Sequence, residues 1–240
     1  MKAMIFAAGL GTRLKPLTDT MPKALVPLAG KPLLQWQVEK LRDAGITDIV
    51  VNVHHFPDQI IDAVRANNGW GTTIRISDER NQLLDTGGGL RKAFKDGLLG
   101  TDEPVLACNV DILSNIDIKA LIAQYEETGV SRLVVSERQT QRYLCFNGED
   151  LLCGWTNIAT GEQKGFDGRR LAFSGMQILN DDTLSRLQQI DETKFSLIPF
   201  YLEIMKEVPL QAYVPSGYRM MDVGKIDQIT EAELFAESLK

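Results

Sequence analysis

The stretch Phe6-Ala7-Ala8-Gly9-Leu10-Gly11-Thr12-Arg13-Leu14-Lys15-Pro16-Leu17, followed by Pro22-Lys23-Ala24-Leu25-Val26-Pro27, holds the residues best suited to chemistry. Glycines at 9 and 11 leave backbone N–H groups free to approach an anion with no Cβ in the way. Arg13 supplies a guanidinium fork that matches phosphate oxygens, and Lys23 a compact positive charge on a proline-fixed segment. Residues 3–8 are apolar and stop abruptly at Gly9, so the loop empties from the end of a buried strand. These residue types in this order describe a polyphosphate site.

Two common phosphate loops do not fit. A dinucleotide-binding turn needs a third glycine where Leu14 stands, and a P-loop ends in Gly-Lys-Ser/Thr where this chain reads Gly11-Thr12-Arg13. The string Gly-x-Gly-Thr-Arg-Leu-x-Pro-Leu-Thr, with Pro22-Lys23 behind it, resembles instead the sugar-1-phosphate nucleotidyltransferases, or NDP-sugar pyrophosphorylases. The resemblance covers nearly the whole chain. It implies an enzyme that moves a nucleotidyl group from an NTP to a sugar 1-phosphate and releases pyrophosphate. It also implies Arg13 and Lys23 as catalytic charges, with Ala8, Gly9, Leu10, Gly11, Thr12 and Arg13 around the nucleotide.

Asp111 follows the apolar run 104–108, and Asp222 sits in a turn after the last expected strand. Taken alone, each aspartate reads as readily as a cap of the next turn or helix. The resembled family carries a Gly-Asp and an Asp-x-Gly at these places, which implies Asp111 and Asp222 as the ligands of a magnesium ion. Two positions depart from that pattern: Val110 replaces the glycine before Asp111, and Lys225 follows Asp222-Val223-Gly224.

A third motif, Leu83-Leu84-Asp85-Thr86-Gly87-Gly88-Gly89-Leu90, runs consecutive glycines into a helix. Such a run costs chain entropy without an evident packing return, so a backbone in contact with a flat ligand is expected. Thr86, Gly87 and Gly88 are then candidate contacts to the base. This motif, the short architecture and Phe173-Ser174-Gly175 resemble one subgroup, the N-acetylmuramate α-1-phosphate uridylyltransferases. That subgroup implies UTP and N-acetylmuramic acid 1-phosphate as substrates, with Asn109, Ser174 and Gly175 at the sugar. Its acceptor bears a lactyl carboxylate, for which Lys164, Arg169 and Arg170 are the nearest cations in sequence; they read equally well as a solvated basic turn. Mannose 1-phosphate with GTP, glucose 1-phosphate with UTP or dTTP, and a nucleotide-sugar-binding protein without turnover remain as alternatives.

The elements needed to position these residues alternate. Helical periods cover 31–44, 57–67, 88–94 and 118–127, with strands expected at 48–53, 72–77, 104–108 and 131–135. The order predicts an α/β fold: a single Rossmann-like domain with a mostly parallel mixed sheet flanked by helices, plus a small sugar-binding lobe. Residues 1–140 form the nucleotide-binding portion, and 141–240 the lobe and the C-terminal metal segment. In such sheets ligands collect beyond the carboxyl ends of the strands, where Gly9, Asp111 and the Thr86 loop emerge. From Tyr143 onward, short β segments give way to a strand at 171–179, helices at 182–189 and 196–206, a strand at 210–214 and a helix at 226–239.

Composition narrows the partners. With 26 Lys and Arg against 32 Asp and Glu, the formal charge is −6, which argues against nucleic-acid or anionic-membrane surfaces and for small molecules. No membrane-length apolar run and no signal-peptide pattern is present, so a cytoplasmic location is expected. Cys108, Cys145 and Cys153 are expected as reduced thiols. His54 and His55 are adjacent and would point to opposite faces of a strand, which makes them scaffold rather than a metal cage.

Overall fold

In a computed structural model, which describes residues 1–100 and 103–239, the chain runs through fourteen strands and seven α-helices. The first half comprises β1 (Lys2–Phe6), a small hairpin of β2 (Pro27–Leu28) and β3 (Lys31–Pro32), α1 (Leu33–Asp43), β4 (Asp48–Val53), α2 (Pro57–Ala66), β5 (Thr73–Asp78), α3 (Asp85–Lys95), β6 (Val105–Asn109), β7 (Ile112–Ser114) and α4 (Ile118–Thr128). The second comprises β8 (Ser131–Ser136), β9 (Arg142–Phe146), β10 (Leu152–Asn157), β11 (Glu162–Gly165), β12 (Arg169–Leu179), α5 (Asp181–Gln188), α6 (Leu197–Ile204), β13 (Leu210–Tyr213), β14 (Met220–Asp222) and α7 (Ile229–Glu237).

Ten strands form one sheet with the order β11-β10-β9-β12-β6-β1-β4-β5, to which β8 and β13 attach beside β12. The expected parallel part is β6-β1-β4-β5. The long β12 joins β6 antiparallel through Met176–Leu179 and β9 antiparallel through its first residues, so the sugar-lobe ribbon extends the same sheet. β1 shows how the two helical layers arise. Ala3 and Ile5 face a core shared with α1 residues Leu34, Val38 and Leu41, whereas Met4 and Phe6 face one shared with Leu90, Leu184 and Tyr201. Alternation along a strand buried on both faces needs helices on both sides.

Two expectations are corrected. Asp222 closes the short strand β14, which pairs antiparallel with β7, and does not lie in a free turn. α3 begins at Asp85, three residues before Gly88, so the glycine run lies inside its first turns. The glycines do have a packing return: a Cβ on Gly87 would enter the Phe195 ring and lie 2.9 Å from the Phe195 carbonyl oxygen. One on Gly88 would strike the Thr193 carbonyl, and one on Gly89 would lie 2.6 Å from Glu79 Oε1.

The 193–197 segment is locked onto α3 by hydrogen bonds. Gly87 N and Gly88 N donate to Phe195 O at 2.9 and 3.1 Å, Phe195 N to Leu84 O at 3.2 Å, and Leu197 N to Thr86 Oγ1 at 3.0 Å. Ser196 Oγ donates to Asp85 Oδ2 at 2.6 Å. In an ordinary helix glycine-to-alanine stabilises by roughly 1 kcal/mol. Here the overpacking dominates, so Gly87→Ala is expected to cost about 2 kcal/mol. At this chain size that lowers Tm by roughly 4–8 °C. An unchanged or raised Tm in thermal unfolding would show that the interlock is loose.

Candidate active site

The loop after β1 opens where the parallel strands end. Gly9 and Leu10 are exposed, and among the described residues no side chain or distant backbone comes within 4 Å of where a Gly9 Cβ would stand. Gly11 has φ +64°, and a Cβ there would lie 2.8 Å from Thr18 Cγ2 and 3.1 Å from Lys23 Cβ. Both backbone and space therefore require glycine. The Gly11 carbonyl accepts from Leu14 N and from Thr18 Oγ1, each at 2.8 Å, and ties the loop into a single turn of 3₁₀ helix, Thr12–Leu14. His55 Nε2 lies 3.0 Å from Thr18 O and His54 Nδ1 lies 2.7 Å from Glu79 O, so both histidines are scaffold.

Four charges gather beyond this loop. Lys23, 7% exposed, pairs directly through its ammonium with the Asp111 carboxylate. Pairing of β14 with β7 sets Asp222 opposite Ile112, and Val223 N donates to Asp111 O at 2.9 Å, which brings Asp222 beside Asp111 in the turn that leads into β7. A Cβ on Gly224 would lie 2.8 Å from Asp222 Oδ1 and 2.9 Å from Arg13 Nη2, so carboxylate and guanidinium close around one glycine. Burial, and after it the Asp111 charge, raises the Asp222 pKa, while Lys23, Arg13 and Arg138 pull it back. Val110 turns its side chain into the core, with its N–H on Phe6 O at 3.2 Å, and Lys225 stands exposed on the rim.

Beside them lies a cleft of about 380 Å³ lined by Ala8, Gly9, Lys23, Thr86, Asn109 and Asp111, together with Asn52, Leu83 and Lys194. Gly87 and Gly88 are buried behind it with their amides bound to Phe195 O, so the backbone contact expected of them is made by the chain itself. Asn52 links cleft to core: its Oδ1 accepts from Ala7 N at 2.7 Å and its Nδ2 donates to Glu79 Oε1 at 2.8 Å. Leu84 N donates to Glu79 Oε2 at 3.2 Å.

Burial raises the Glu79 pKa above the ordinary carboxylate value, against the opposing pull of Asn52 and Leu84. The native state then holds this proton more tightly than the unfolded chain, so Glu79 favours folding at low pH and loses that contribution as pH rises through its folded value. The Tm deficit of Glu79→Gln relative to the parent should be greatest near pH 4 and shrink toward pH 7. Parallel Tm–pH curves would contradict this.

Of the residues expected at the sugar, Asn109 ends β6 and lines the cleft. Gly175, φ +70°, falls in an irregularity of the β12–β8 pairing, and a Cβ there would lie 2.9 Å from Asn109 Nδ2. Ser174 is 1% exposed and borders an interior gap with Ser114 and Tyr218, so its side chain does not reach the cleft. Arg169 is held by Glu137 at 2.8 Å and Asp150 at 3.5 Å, and Arg170 by Asp167 at 3.1 Å. Both are therefore solvated cations at the start of β12, neutralised by nearby carboxylates, whereas Lys164 lines a second cavity, with its ammonium 6.0 Å from the Trp155 ring centroid.

Residues 2–144, more than half of the chain, match the family model described as nucleotidyl transferase. The chain belongs to the nucleotidyl transferase family. It is similar to an N-acetylmuramate alpha-1-phosphate uridylyltransferase of Neisseria meningitidis serogroup B, 46% identical over 120 residues, 50% of this chain and 51% of that protein. The match thus spans about half the length of that relative. A probable mannose-1-phosphate guanylyltransferase 2 of Oryza sativa subsp. japonica is 30% identical across 100% of the chain and 66% of its own length. The fold is also that of a putative glucose-1-phosphate thymidylyltransferase of Bacillus anthracis, with TM-score 0.85 and 15% identity over 100% of this chain and 96% of that one.

In this member of the nucleotidyl transferase family, sequence reasoning missed Asn52, Glu79 and Lys194 in or behind the cleft. Asn52 could have been noticed as the polar residue that interrupts the β-branched run of β4. Lys194 carried no local signal, because only the lock between α3 and residues 193–197 brings it to the cleft.

Proposed function

We propose that the chain transfers a nucleotidyl group from an NTP to a sugar 1-phosphate, with UTP and N-acetylmuramic acid 1-phosphate as the preferred pair. The observation that carries this reading is the convergence of Arg13, Lys23, Asp111 and Asp222 beside the open glycine loop. An oxygen of the acceptor phosphate attacks the α-phosphorus in line. The bond to the bridging oxygen breaks, and pyrophosphate leaves with the electron pair. The attacking oxygen is already ionised, so positioning and neutralisation of charge suffice without a general base. Arg13 and the loop amides hold the leaving phosphates, and Lys23 lowers the repulsion between the α-phosphate and the incoming phosphate.

Asp111, in the turn before β7, and Asp222, at the end of the paired β14, are two hard oxygen donors within each other's field, which suits magnesium. No group of three or more His, Cys, Asp or Glu gathers among the described residues, so phosphates and water would complete the shell. When bound, magnesium would neutralise phosphate charge.

The similarity to the N-acetylmuramate uridylyltransferase of N. meningitidis supports UTP and N-acetylmuramic acid 1-phosphate. A second reading, GTP with mannose 1-phosphate, is favoured by the similarity that extends over the full chain. A pyrophosphate-release matrix of four NTPs against several sugar 1-phosphates separates them: highest kcat/KM with UTP and N-acetylmuramic acid 1-phosphate supports the first, and a clear preference for GTP and mannose 1-phosphate replaces it.

No helix among the described residues is long and apolar enough to cross a membrane. The substrates proposed are small molecules, and magnesium is the one cofactor.

A further inference from the structure

A cavity of about 470 Å³ lies under the β9–β10 ribbon, with Tyr143, Trp155 and Phe173 among its walls and Arg138, Arg142 and Lys164 at its edge. It adjoins the proposed reaction centre on two sides. Ser196 in its wall donates to Asp85, which borders the nucleotide cleft. Arg138 and Arg142 also border the open basin that contains Arg13 and Asp222.

The charges there are unbalanced. No Asp or Glu lines the cavity, although the whole chain is acidic at −6. Arg169 and Arg170 nearby are neutralised by Glu137, Asp150 and Asp167, and Lys164 faces Glu162 at 3.6 Å. Among the described residues neither Arg138 nor Arg142 pairs with a carboxylate; Arg138 donates one bond, Nη2 to Phe173 O at 3.1 Å. That bond aims its guanidinium while leaving its other donors free. Two guanidinium forks over an aromatic wall suit a ring stacked on its face with an anionic group at its edge. The reacting phosphate is claimed elsewhere, by Lys23 and Arg13.

We infer that this cavity takes the ring of the acceptor, and that Arg142, aided by Arg138, selects sugar 1-phosphates bearing a second anion, a carboxylate, on a ring substituent. This rests on the nucleotidyl-transfer reading for the cavity's role, but its test does not need turnover.

Equilibrium binding of N-acetylmuramic acid 1-phosphate and N-acetylglucosamine 1-phosphate, which lacks the carboxylate, is measured by calorimetry on the parent and on Arg142→Gln. The parent should bind the carboxylate-bearing ligand about 10-fold or more tightly, the size expected of a charge-assisted pair. Arg142→Gln should remove that preference, leave the other ligand within about twofold, and keep Tm unchanged because the side chain is exposed. Arg142→Lys, which keeps the charge but loses the fork, should restore part of it. Equal losses for both ligands would assign Arg142 to the shared phosphate, and no preference in the parent, or one that survives Arg142→Gln, would also overturn the inference. Lack of pyrophosphate release with every acceptor refutes the nucleotidyl-transfer reading separately, with the binding preference still measurable.

Discussion

Lys23→Ala is expected to lower kcat/KM by about 10²-fold or more, mostly through kcat, with little change in Tm. Loss of a preorganised charge that stabilises developing phosphate charge costs on this order. The structure adds a constraint: Lys23 is buried against Asp111, so the two side chains act as a unit. Removing the ammonium also frees the Asp111 carboxylate to repel the incoming phosphates. The double variant Lys23→Ala/Asp111→Asn should therefore be less impaired than the product of the single losses. An unaltered rate in Lys23→Ala would remove the lysine from the mechanism, and strict additivity would mean that the pair has no coupled role.

Asp222→Asn and Asp111→Asn should each cut turnover and raise the magnesium concentration needed for half-maximal rate. An amide keeps a polar oxygen in place but brings no negative charge to the cation. Asp222 is held by β14 and crowded by Gly224 and Arg13, so the isosteric change should leave the fold intact. The variant also removes a carboxylate whose charging burial and Asp111 oppose, and its Tm at neutral pH should match or exceed that of the parent. Parent-like magnesium dependence in Asp222→Asn beside an inactive Asp111→Asn would make the C-terminal motif structural.

Legibility followed distance along the chain. The phosphate loop was readable because glycines, prolines and two cations lie within one contiguous segment whose conformation they set locally. Asp111 and Asp222 needed the resemblance, because their meeting depends on pairing between β7 and β14, and an isolated aspartate after a strand has several uses. The glycine run was recognisable as a place of close approach, but the approaching group is the chain's own 193–195 segment, more than a hundred residues later. Arg169 and Arg170 stayed open between a carboxylate contact and a solvated cation for a related reason. Sequence order shows two adjacent cations, whereas Glu137 and Asp150, the carboxylates that neutralise Arg169, come from distant segments, and only Asp167, which pairs with Arg170, is local. Arg138 and Arg142 gain their significance only from the folded cavity.

Phosphorus NMR of the protein with magnesium, UTP and N-acetylmuramic acid 1-phosphate tests nucleotidyl transfer most directly. Loss of the sugar-phosphate monoester signal should be matched one for one by a new diphosphate diester and by inorganic pyrophosphate, and the reaction should run backwards when pyrophosphate is added. Pyrophosphate formed together with UMP while the sugar phosphate stays unconsumed, or no change with any NTP and acceptor, would contradict it.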